Sequence, residues 1–77
     1  MEMDRTPSVI AAAAVKAELK RQGRPQRDLA FMLGTSEVSI SRRLRGETPF
    51  DVDELVAIAD FLGVRPAQFL PDQAVAS

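Results

Sequence analysis

Apolar positions along this chain recur three and four residues apart and almost never alternate, so the elements they predict are helices rather than strands. Val9, Ala12, Val15 or Lys16, and Leu19 form a narrow stripe over residues 7–22. Thr6-Pro7 ahead of it is a capping residue followed by proline at the first helical position, and Gly23 is a stop. A shorter helix is expected from Pro25 or Gln26 to Leu33, apolar at Leu29, Ala30, Met32 and Leu33, and ended by Gly34. A third starts at Thr35 or Ser36 and ends at Gly46, with Ile40 and Leu44 on one face. The fourth has the clearest start. Asp51 caps it, Glu54 three residues on completes a capping box, and Phe50 before the cap can staple to Leu55. Leu55, Ile58, Ala59 and Leu62 form its buried stripe, and Gly63 ends it. A short fifth helix is expected over Pro66–Leu70, bounded by Pro71, with residues 1–5 and 71–77 as loose tails. The expected core is Leu19, Leu29, Ala30, Ile40, Leu44, Leu55, Ile58, Leu62 and Phe69. The expectation is an all-α fold, a compact bundle of five short helices in one domain.

Composition narrows what such a domain does. A chain of 77 residues buries only roughly 60% of its unfolded surface. It has no cysteine and no histidine. That excludes a disulfide framework and a thiolate metal site, and removes the commonest general base. There is no nucleophile–base pair and no phosphate-cradling glycine loop, so an enzyme is a poor reading and no cofactor is called for. Asp51, Asp53 and Glu54 read as capping chemistry rather than a metal site. No apolar run approaches the roughly 20 residues that span a bilayer. The alanine-rich run Val9–Val15 follows acidic Glu2 and Asp4, unlike a signal peptide. A cytoplasmic protein is the simplest expectation.

Charge changes the picture more. The net charge is −1, but it is strongly polarised. Residues 16–45 hold eight basic and three acidic side chains, and residues 46–77 hold one basic and six acidic. Such polarity bears on partners rather than fold. The basic part contains the pattern helix, short turn, helix, with a polar second helix. Gln26 opens the pair, small Ala30 allows close approach, Gly34 makes the turn and Ile40 anchors the second helix.

The run "QRDLAFMLGTSEVSISRRLRGE", continued by "FDVDELVAIADFLGV", resembles the lambda-repressor/Cro-type (XRE-like) helix-turn-helix regulators. The resemblance extends over about residues 9–70, with the motif at about 26–45. It implies a lambda-repressor-like fold, a double-stranded DNA operator as partner, and a third helix that lies in the major groove. Helical geometry independently gives which residues of that helix face outward. With Ile40 and Leu44 inward and about 100° per residue, Arg42 points directly outward, flanked by Val38, Ser39 and Arg45. Ser41 and Arg43 fall on the flanks, and Glu37 lies nearer the core side. Val38, Ser39 and Arg42 are therefore the candidates for base edges. Arg42 suits guanine and Val38 a thymine methyl. Arg43 and Arg45, with Ser36 and Ser41, suit the DNA backbone. Gln26 matches the family's glutamine at the start of the second helix, where phosphate is commonly met, and Arg27 and Arg24 sit beside it.

Several positions depart from the family pattern. Pro25 replaces the usual capping Ser or Thr, so the second helix lacks a side-chain cap. Arg24 and Arg43 stand where apolar residues are usual, and Leu44 takes over the packing expected of Arg43. Glu37 stands where a base-reading glutamine is common; it either accepts from cytosine N4 or serves as a first-turn dipole partner.

The arginine run has a plain alternative, a solvated helix face. The motif spacing and the polarised charge weigh against it. The expected function is a sequence-specific transcriptional regulator, a phage or prophage repressor or Cro-like protein, acting as a homodimer on a palindromic operator. The competing expectation is a protein-interaction module of the same fold, an antitoxin or anti-repressor subunit, with Val64, Phe69 and Leu70 near its contact surface.

Overall fold

The computed structural model describes residues 6–70. The elements in chain order are α1 (Pro7–Gln22), α2 (Gln26–Leu33), α3 (Glu37–Leu44), α4 (Val52–Leu62) and a 3₁₀ turn (Pro66–Gln68). Among the described residues there is no strand. The expected loose ends, residues 1–5 and 71–77, lie outside the described residues.

The helix limits follow from capping chemistry. The Thr6 hydroxyl accepts from the Val9 N–H at 3.3 Å, and Pro7 takes the first helical position. Ser36 caps α3 by accepting from Ser39 N–H at 3.1 Å. At α4 the capping box is complete. Asp51 accepts from Glu54 N–H at 2.7 Å, and the Glu54 carboxylate accepts from Asp51 N–H at 3.0 Å. As expected, Pro25 gives α2 no side-chain cap.

One expectation is corrected. The fifth helix is a single 3₁₀ turn, so the described residues form four α-helices. Arg65 ahead of it makes no side-chain cap. The Phe69 and Leu70 N–H groups both bond back to Pro66 O, at 2.9 and 3.2 Å, and the segment stops after this one turn.

All nine expected core residues are buried, joined by Ala11, Ala12, Val15, Phe50 and Ala59. Phe50 and Leu55 are buried together at the start of α4, as a staple requires. α2 packs chiefly on α3, and α1 packs on α3 and α4. Full burial of Ile40 and near-full burial of Leu44 hold α3 in place, each contributing about 1.5–3 kcal/mol.

α1 also buries a carboxylate. Glu18 is on the inner face with Ala11 and Val15 and is almost wholly enclosed. It accepts from Arg21, from Gln22 Nε2 at 2.7 Å and from Gln68 Nε2 at 2.8 Å. Gln22 Nε2 also bonds Leu62 O at 2.9 Å, so α1 is tied to the end of α4 and to the 3₁₀ turn. These donors, led by Arg21, hold the Glu18 carboxyl at about 2.

Candidate nucleic-acid interface

The link between α2 and α3 is three residues, Gly34 to Ser36. It reverses the chain because Gly34 takes the left-handed conformation, with φ of 69°. Its N–H bonds Phe31 O at 3.2 Å, and Thr35 N–H bonds Ala30 O at 2.9 Å. Ser36 then starts α3 at once. The turn's geometry is thus set by one glycine and one capping serine, and it fixes the angle at which α3 leaves α2.

On α3, Ile40 and Leu44 point inward, so the rotation expected from the sequence holds. Val38 is 64% exposed, Arg42 is exposed and Ser39 is half-buried. Glu37, read as nearer the core side, is exposed because it sits in the first turn. At the start of α2, Gln26 is half-buried and Arg27 is exposed.

The arginines of residues 24–45 divide by what already holds them. Arg24 lies over the Phe61 ring, 4.7 Å from its centroid, with Asp28 3.7 Å away. This explains how a charged residue fills a position where an apolar one is usual. Arg43 leans toward α4. Its guanidinium donates to Glu54 and lies 5.8 Å from the centre of the Phe50 ring. Both side chains of this pair are about three-quarters enclosed. The expectation that Arg43 meets the DNA backbone does not fit this placement, because Glu54 and Phe50 hold its charged end at the α3–α4 junction.

Arg45 is half exposed. It donates to Glu47 at 2.8 Å and to the Ser41 hydroxyl at 2.7 Å. That hydrogen bond and Arg45's charge, with a smaller contribution from Arg42, hold the Glu47 carboxyl below the usual carboxylate range. Arg27 and Arg42 make no ion pair among the described residues. The exposed face of α3 therefore carries one uncommitted guanidinium at its centre and one more loosely held at its end. Gly46, with φ of 82°, ends the helix, and the backbone bonds from Gly46 to Arg43 O and from Glu47 to Arg42 O close it.

Sequence reasoning missed Glu18, although its helical spacing from Ala11 and Val15 places it on the buried stripe. It also missed the partner of Arg43. Glu54 lies eleven residues away and was already assigned to the capping box.

The arrangement matches known proteins. The Helix-turn-helix family model matches residues 15–69, which is most of the chain. The chain belongs to this helix-turn-helix family, the XRE-type to which its motif was likened. Among solved structures it is similar to the hypothetical transcription factor NHTF from Neisseria. The two share 22% identity over 95% of this chain and 85% of that chain, with a TM-score of 0.74, which is a likeness of fold. No curated protein matches.

Proposed function

We propose that the protein is a sequence-specific, double-stranded DNA-binding transcriptional regulator that lays α3 in the major groove. Its kind is that of small repressors, Cro-like, phage or prophage in origin and acting in the cytoplasm. Family membership supports DNA binding. The observation that carries the finer reading is the outer face of α3, where Arg42 stands exposed beside Val38, unpaired among the described residues, while its neighbours Arg43 and Arg45 are held by carboxylates.

In this reading Arg42 donates in bidentate fashion to a guanine edge, Val38 touches a thymine methyl, and Ser39 contacts an adjoining base. Gln26 and Arg27 at the start of α2, Ser41 on α3, and Ser36 and Arg45 at its two ends meet the phosphates that fix register. A phosphate exchanges with Glu47 at Arg45. Arg43 is not assigned a contact, and Arg24 serves chiefly to cover Phe61. Glu37, exposed at the first turn of α3, either accepts from cytosine N4 or supports the helix dipole. Two copies on a palindromic operator would read half-sites about one DNA turn apart.

The protein-interaction alternative loses part of its support, because Phe69 is only 2% exposed. Selection of bound duplexes from a random pool tests the proposal. It predicts recovery of a short palindromic sequence, and recovery of unrelated sequences would defeat the claim of specificity.

A further inference from the structure

Outside the helix-turn-helix pair, α4 and the segment after it form a groove of about 370 Å³. It is lined by Val56, Ala57, Val64 and Pro66 and rimmed by Asp53 and Asp60. The groove's acids differ from the others nearby. Over residues 46–70 Glu47 is paired with Arg45, Asp51 caps α4, and Glu54 both closes the capping box and holds Arg43. The two that remain, Asp53 and Asp60, have no side-chain partner among the described residues, and both line this groove. Asp53 at least suits the positive end of α4. Asp60 does not. It stands in the last turn, at the negative end of the helix dipole, and no basic residue lies in that turn. An acid so placed opposes its own helix, and Val56 beside it leaves apolar surface in water. Local choices that work against the fold mark positions kept for another purpose.

We infer that this groove docks a short amphipathic segment of a partner protein, aliphatic on one face and bearing Lys or Arg along its edge. Its aliphatic side chains fill the space between Val56 and Val64, and its cations meet Asp53 and Asp60. A second copy meeting the groove about a two-fold axis would set these aspartates against their own equivalents, so the symmetric occupant is disfavoured. The surface is separate from the outer face of α3, which lets a bound regulator hold a second protein beside DNA.

The test uses the full chain and a synthetic 14-residue helical peptide with Leu at one face and Lys at its edges, followed by NMR. The expected result is a set of shifts confined to residues 53–66. Asp60→Lys should weaken the peptide at least tenfold. The same variant should bind duplex DNA as the wild type does and melt no lower, since a cation suits that end of α4. Asp60→Asn should fall between. Three results would overturn the inference: equal binding of a scrambled peptide of the same composition, unchanged affinity in Asp60→Lys, or the same shifts in the protein alone as its concentration rises.

Discussion

Arg43 and Glu54 join the end of α3 to the start of α4, and the carboxylate that receives the guanidinium also accepts the Asp51 N–H of the capping box. One acid thus fixes both the beginning of α4 and the orientation of the helix proposed to read DNA. The pair is enclosed enough to matter, yet the Arg43 Nε is buried without a partner, which limits its net gain.

Loss of either partner should therefore be read first in stability. Arg43→Ala is expected to cost about 1 kcal/mol, the upper range for pairs with some solvent access. Glu54→Ala should cost about 1–2 kcal/mol because the capping box fails as well. Each kcal/mol lowers Tm by about 4–8 °C in a domain of this size. Thermal melts of both variants and their double would check it. The double should lose less than the sum of the singles, and strict additivity would mean the pair does not couple.

The glycines of the turns before and after α3 are predicted to behave differently. At Gly34 an added Cβ meets nothing within 4 Å, so Gly34→Ala should cost only its left-handed backbone, about 1–2 kcal/mol. At Gly46 the Cβ would stand 3.1 Å from Val9 Cγ2 as well. Gly46→Ala should cost more, and a double-mutant cycle with Val9→Ala should show coupling of about 0.5 kcal/mol or more. The same cycle with Gly34→Ala should be additive. Denaturant midpoints distinguish these outcomes.

Glu18 makes stability depend on acid. Its folded-state value of about 2 lies below the ordinary 4.5, so the carboxylate stabilises the fold at neutral pH. That contribution is lost as pH falls from about 4.5 toward 2. Glu18→Gln should be less stable than wild type at pH 7, and the gap should close over that window. Chemical denaturation at several pH values measures it, and a constant gap would assign the loss to packing instead.

What the sequence made legible was mostly local. Thr6-Pro7, Gly34, Ser36 and the Asp51–Glu54 box mark helix limits because caps act within three or four residues. Ile40 and Leu44 were enough to set the rotation of α3, and so to single out Arg42. What the sequence did not show had its deciding partner far along the chain. The charge of Arg43 was read from its own helix, but Glu54 and Phe50 across the α3–α4 loop decide where it points. Arg24 likewise depends on Phe61, 37 residues away. The expected fifth helix failed for a different reason. Pro66 marks a start, but nothing there supplies the caps and length that carry a short segment beyond one turn.

The central claim is that the arginines of α3 have separate tasks. Affinity of wild type, Arg42→Ala and Arg45→Ala for the selected duplex and its single-base variants, at several salt concentrations, tests it most directly. Arg42→Ala should lose about 1–3 kcal/mol and its discrimination at one base pair. Arg45→Ala should weaken binding alike on every sequence and reduce the salt slope by about 1. Unchanged base preference in Arg42→Ala, or the same uniform loss in both variants, would contradict the assignment of α3 as the reading helix with Arg42 at its centre.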